Sequence, residues 1–173
     1  MAAAALPVQR ILGIDPGSRI TGFGVIDSDG RDSRHVASGS IHLRGAGLPE
    51  RLGEIFRAID DVIAEHRPTV VAIERVFFAR NPDSALKLGQ ARGAAICACM
   101  QHTLELHEYA TREVKQGIVG SGAADKKQMQ YMVGLLLKQS RGLAEDEADA
   151  LALALCHAHI GRFQQRLAQG LAR

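Results

Sequence analysis

Asp15 closes the apolar run Ile-Leu-Gly-Ile, and Glu74 closes Val-Val-Ala-Ile. In the second run the even-numbered residues share one face of a strand, so Glu74 extends the row of Val70 and Ala72. An acid that continues a buried row is costly unless it reaches the sheet's rim or meets a cation. Taken singly, each has an ordinary reading: Asp-Pro-Gly is common turn chemistry, and Glu74 could pair with Arg75 or another nearby base. A further acidic group is Glu145-Asp146-Glu147-Ala148-Asp149. Interaction with a helix dipole accounts for Glu145 and Glu147. Asp146 and Asp149 stand three apart on one face, and Asp149 lies above Ala152, Leu153 and Cys156, a stripe suited to the core. Two carboxylates held close repel, and one takes up a proton unless a cation intervenes.

If the last helix crosses the sheet near these strand ends, Asp15, Glu74, Asp146 and Asp149 converge. Hard oxygen donors without Cys or His suit Mg²⁺ or Mn²⁺ rather than zinc. Two such ions held ~4 Å apart by carboxylates stabilise both oxygens of a phosphoryl transfer. His157 and His159 fall on different helix faces and read as helix-end histidines beside the dipole.

The elements that must position these acids follow from periodicity. Residues 11–14 and 22–26 are apolar runs joined by a hairpin signal, and 34–42 alternates as a third strand. Leu52, Ile55, Phe56, Ile59, Val62 and Ile63 recur at helical spacing, which predicts a helix over 49–66. Residues 69–74 form a strand buried on both faces. Asn81-Pro82-Asp83-Ser84 starts a helix that the pattern carries from 84 to 106, and 107–109 is a fifth strand. Residues 117–122 read as a glycine-punctuated loop, 125–137 and 145–160 as helices, and 161–173 as a frayed tail. The order gives an α/β domain with a mixed sheet. Small residues of the long helix, among them Ala85, Ala91, Gly93, Ala94, Ala95 and Ala98, permit close approach of another helix, either within the domain or across a subunit contact.

At 173 residues the chain fits a single domain, with a core over about 8–160. Apolar residues at 46% and charged residues at 23% are ordinary for a globular protein, and a formal net charge of +2 permits a nucleic-acid partner without demanding one. Cys97, Cys99 and Cys156 lack metal-type spacing and read as reduced, buried cysteines. No basic n-region marks a signal peptide, and no apolar run reaches the ~20 residues of a membrane span. The expected location is the cytoplasm, with no membrane partner.

The stretches ILGIDPGSRITGFGVI, AIERVFFARNPDSALKLGQARG, VKQGIVGSGAADKKQMQ and DEADALALALCHAH resemble, in order and spacing, those of the RuvC-type Holliday junction resolvases. The resemblance covers residues 8–159. It implies a ribonuclease H-like fold with a five-stranded mixed sheet and helices on both faces. It also implies a homodimer, and cutting of four-way DNA junctions with Mg²⁺ at two ions per site, Mn²⁺ being the substitute. The family's acidic tetrad falls on Asp15, Glu74, Asp146 and Asp149; some relatives carry His at the position of Asp146. Phe77 matches the residue that stacks on a junction base, with Phe78 assigned to the core. Stacking of this kind is worth about 1–3 kcal/mol per base. Lys115, Lys126 and Lys127 follow the fifth strand and would reach phosphates; of these Lys115 and Lys126 match the family's basic DNA-binding surface, and Arg80, Lys87 and Arg92 are either contributors or solvated charges. A branch-migration motor on the same junction is the implied partner, and the long Ala-rich helix the implied subunit contact. Two other readings are a junction-binding dimer that does not cut, and the phosphate-binding hairpin of actin-like ATPases and sugar kinases. The second needs a further phosphate loop and about twice this length.

Overall fold

The computed structural model describes residues 7–75 and 81–171, with side chains described as far as 161. Ten elements run in the order β1 (Gln9–Asp15), β2 (Ile20–Ser28), β3 (Ser33–His42), α1 (Leu48–His66), β4 (Val70–Glu74), α2 (Pro82–Gln101), β5 (Glu105–Tyr109), α3 (Thr111–Val119), α4 (Lys126–Leu136) and α5 (Glu145–Leu171). The strands form one sheet in the order β3-β2-β1-β4-β5. β1, β2 and β3 pair antiparallel, while β1–β4 and β4–β5 are parallel, so the sheet is mixed as expected.

Strand alternation divides the core in two. Leu12, Ile14, Val25, Val71 and Ile73 face α1 and α2, meeting Ile55, Ile59, Ala91, Ala95 and Ala98. Ile11, Ile26, Val70, Ala72 and Tyr109 face the other way, against α3, α4 and the fully buried run Ala150–Leu155 of α5. Asp15 and Glu74 therefore continue the rows that α5 covers, Ile11–Gly13 and Val70–Ala72. Two glycines let α5 lie directly on the sheet. A Cβ on Gly13 would stand 1.9 Å from the Ala150 carbonyl oxygen, and one on Gly22 would stand 2.1 Å from that of Asp146. Gly22 is also the register partner of Asp15, so the contact that seats the helix start lies beside the strand-end acid.

Several expectations are corrected. The long helix stops at Gln101, not 106: Thr103 takes φ 56, and the apolar Leu104 and Leu106 that prolong the helical pattern pack beneath the sheet instead. Residues 117–119, read as loop, are the last turn of the helix α3, which ends on Gly120 at φ 77 with its N–H on the Gln116 carbonyl. Only Val114 and Ile118 bury apolar groups in that short helix, which is why periodicity missed it. α5 continues past 160 to Leu171. His157 consequently sits mid-helix and buried, its Nδ1 2.7 Å from the Tyr109 hydroxyl. Burial, with His107 alongside, lowers its pKa to about 4. Cys99 and Cys156 are buried and free, but Cys97 is exposed. Ala91, Ala95 and Ala98 face inward, so those small residues serve packing within the protomer.

Candidate active site

β1 and β4 are adjacent and parallel, so their C-terminal ends bring Asp15 and Glu74 to the same rim of the sheet. α5 begins above that rim. Its first turn is held by Glu147, whose Oε2 accepts the Ala144 N–H at 2.9 Å while Oε1 pairs with Arg141 at 2.9 Å and accepts from the Ser38 hydroxyl at 3.2 Å. These bonds hold the Glu147 carboxyl below the usual carboxylate range, Arg141 contributing most. Glu147 is thus an anchor tying the helix start to β3, beyond the dipole role read from sequence. With α5 so seated, Asp149 stands beside Asp15 and Glu74 at the strand ends, and Asp146 lies close enough for its charge to act on both Asp15 and Asp149.

A cavity of about 140 Å³ opens at this corner, walled by Asp15, Glu74, Asp149, Thr111, Lys115 and Lys126 over an apolar floor that includes Val114 and Met129. The acids interact strongly. Burial, then the charges of Glu74, Asp149 and Asp146, push the Asp15 carboxyl up to about 8, with Lys126 opposing. Burial also raises Asp149; Lys126 pulls it back, and Glu74 and Asp146 add to the rise. Asp146 does not line the cavity, and its coupling to Asp15 and Asp149 is through space. Among the described residues no three His, Cys, Asp or Glu side chains are gathered as a coordinating group in this arrangement. The donor set nonetheless fits hard divalent cations: Asp15, Glu74 and Asp149 share one cavity with Asp146 close enough to add its charge, and their mutual repulsion is what a cation would neutralise.

Lys126 and Lys127 open α4, where Asp125 caps the helix by accepting the Gln128 N–H at 2.8 Å. Cations there oppose the helix dipole, so their placement has a local cost. Lys126 offsets it by pairing with Glu145. Lys115 is half-buried on the cavity wall, while Lys127 is exposed and lies off it. Phe77, Phe78 and Arg80 fall outside the described residues.

Two groups at Glu74 escaped the sequence reading. The Thr111 hydroxyl, on the first residue of α3, donates to Glu74 Oε1 at 2.6 Å. Arg92, considered above for DNA contact, turns inward: its Nε donates to the Glu74 carbonyl at 2.9 Å and its guanidinium pairs with Glu108. A signal for Thr111 was available. It stands two residues past Tyr109, and the strand that Tyr109 ends pairs with the one that Glu74 ends.

A family model described as crossover junction endodeoxyribonuclease RuvC matches residues 11–157. The chain is 55% identical over 160 residues to the crossover junction endodeoxyribonuclease RuvC of Alkalilimnicola ehrlichii, spanning 92% of this chain and 97% of that one. It is 60% identical over 153 residues to that of Halorhodospira halophila, with 88% and 91% covered. Among solved structures, RuvC of Thermus thermophilus in complex with a Holliday junction substrate superposes with a TM-score of 0.85 at 32% identity, over 90% of this chain and 96% of that one.

Proposed function

The chain belongs to the RuvC family of crossover junction endodeoxyribonucleases, and from that premise we propose that Asp15, Glu74, Asp146 and Asp149 are the active site of an endonuclease that resolves four-way DNA junctions. The observation that carries this reading is the corner where the rim acids of β1 and β4 meet the start of α5, with Asp15 raised to about 8 by burial and its acidic neighbours. A solvated turn aspartate would not be so placed. The enzyme is metal-dependent; the four carboxylates would hold Mg²⁺, two ions per site, with Mn²⁺ as a substitute. When bound, such ions activate a water and stabilise the leaving oxygen of a phosphodiester.

The chain's own residues supply the rest. Lys115 and Lys126, on the cavity wall, bind the phosphates that flank the scissile bond and keep the strand in line with the acids. Lys127, one residue along and exposed, extends that contact outward. Phe77 and Arg80 follow Glu74 closely in the chain and are assigned to the junction's crossover bases and backbone. Hydrolysis leaves a 5′-phosphate and a 3′-hydroxyl that a ligase can join.

Resolution needs paired cuts, and a two-fold dimer matches a two-fold junction. The outward face of α2 supports such a pairing: Leu86 and Met100 are 69% and 47% exposed, and Gly89 and Gly93 have open space where a side chain would stand. A branch-migration motor on the same junction is the further proposed partner. No helix among the described residues is long and apolar enough to cross a membrane, and the proposed location is the cytoplasm.

The test is a labelled four-way junction incubated with the protein in Mg²⁺, in EDTA, and with Asp15→Asn. Symmetric nicks that vanish with chelator and with the variant are expected. Binding without nicks in both Mg²⁺ and Mn²⁺ would overturn the enzymatic reading and leave a binding module. ATP turnover without nicking would favour the kinase-like hairpin.

A further inference from the structure

Among the described residues, Glu74 is the one acid of the four whose side chain and backbone are each held by a neighbour from a different helix. Thr111 donates its hydroxyl to Oε1 at 2.6 Å. Arg92, on α2, donates to the Glu74 carbonyl at 2.9 Å and is itself paired with Glu108. The backbone is pinned further by the ladder, since β4 pairs with β5 up to Glu74–Tyr109, and the next N–H, that of Arg75, donates to the Tyr109 carbonyl at 2.8 Å. These bonds fix where the Cα of Glu74 stands. They leave the torsions of its side chain free, and the carboxylate is partly exposed. The Thr111 hydroxyl is the group that removes that freedom.

The backbone of Thr111 is equally well placed to hold its hydroxyl still. It is the first residue of α3, and that start is fixed by Glu113, whose Oε2 accepts the Ala110 N–H at 2.7 Å. The helix is seated by Val114 and Ile118, both buried. Lys115, one turn on from Thr111, lines the same cavity, so α3 presents a hydroxyl and a cation to the site from one face.

We propose that Thr111 is a positioning residue for Glu74: its hydroxyl occupies one carboxylate oxygen, holding the other in place to face Asp15. The inference rests on the reading of Glu74 as a metal ligand. A carboxylate oxygen that accepts a hydrogen bond from a fixed donor keeps its orientation, and loss of such outer partners typically weakens metal affinity or activity about 10–100-fold. A hydroxyl can also remain bonded to a carboxylate while the other oxygen coordinates, because ionised carboxylates offer several lone-pair sites. Thr111 is itself exposed and caps no helix through its side chain, so the fold does not depend on its hydroxyl.

The variants are Thr111→Val, which keeps the shape and removes the donor, and Thr111→Ser, which keeps the donor. Metal affinity is read without any reaction, from the melting temperature as Mg²⁺ and then Mn²⁺ are titrated in, with Asp15→Asn as the reference for a broken site. Cleavage of a labelled junction then gives kcat and KM at low and saturating metal. Thr111→Val should melt like the wild type without metal. It should need about tenfold more metal for half its thermal shift and for half-maximal kcat, at an unchanged KM for the junction. Thr111→Ser should restore both values to within about threefold. A Thr111→Val protein with wild-type metal midpoints in both assays overturns the role of Thr111 while leaving the four-acid site standing. Loss of stability in Thr111→Val without metal makes the residue structural and also overturns it. A wild-type protein with neither a thermal shift nor cleavage in either metal overturns the site and this inference together.

Discussion

Replacing Asp15 by Asn should make the metal-free protein more stable while ending its response to metal. Burial and the charges of Glu74, Asp149 and Asp146 push the Asp15 carboxyl up to about 8 from an ordinary 3.8. Between those values the folded chain binds more protons than the unfolded one, so stability falls as pH rises through the window and levels off above about 8. Each pH unit is worth about 1.4 kcal/mol, which gives about 4 kcal/mol at about pH 7 and less than half of that at about pH 5. Rearrangement of the partly exposed Glu74 trims these figures, so the gain for Asp15→Asn near neutrality is about 2–4 kcal/mol, or on the order of 10 °C in melting temperature. Asn is nearly isosteric and can donate its amide hydrogens to the neighbouring carboxylates, so no cavity or orphaned group offsets the gain. The assay is thermal melting of both proteins in EDTA across about pH 5 to 8.5, then with Mg²⁺ added. The wild-type curve should slope downward with pH more steeply than that of the variant, which keeps the contribution of the raised Asp149, and only the wild type should rise with metal. An Asn variant no more stable than the wild type, or one whose advantage does not grow with pH, would refute the claim that these acids repel in a shared buried corner.

Gly22→Ala should unseat the start of α5, because the added Cβ meets the Asp146 carbonyl oxygen at 2.1 Å; a loss of about 1–3 kcal/mol in urea unfolding and a loss of metal-induced stabilisation are expected together. Glu147→Gln should cost about 1–2 kcal/mol at about pH 7 by weakening its pair with Arg141. The folded Glu147 carboxyl is held below its ordinary 4.5, so its contribution is full above 4.5 and fades as pH falls below that, and the two proteins should converge in urea midpoint toward acid pH. Lys115→Ala and Lys126→Ala should each weaken junction binding in EDTA and reduce the slope of log affinity against log salt by about 0.9, as expected for one lost phosphate contact; an unchanged slope would remove that lysine from the DNA surface.

What could be read from the sequence, and what could not, divides along physical lines. The strand-end acids were legible because alternation in a strand is strict: once Val70 and Ala72 are buried, Glu74 must extend their row, and the sheet places it there. Asp146 and Asp149 were legible from a three-residue spacing above a buried stripe, and Ala152, Leu153 and Cys156 are indeed buried. The end of α2 and the existence of α3 were not legible, since Leu104 and Leu106 keep a helical pattern beyond the helix and Val114 and Ile118 are too few to make one. The groups missed at the site share a different cause. Thr111 is bonded to a residue 37 positions away, Arg92 to one 18 away, and Ser38 to one 109 away. No local pattern announces a hydrogen bond that only the completed fold creates. Strong charges at strand ends advertise themselves because burying them is costly, whereas a threonine or serine is at home on any surface. The acids proposed for the chemistry are therefore visible in this chain before the fold is known, and the groups that bond to them become visible only afterwards. Arg92 illustrates the point: as a sequence it is a charge on a long helix, either solvated or a DNA contact, and in the fold its guanidinium reaches back to the Glu74 carbonyl and fixes the end of β4 from behind.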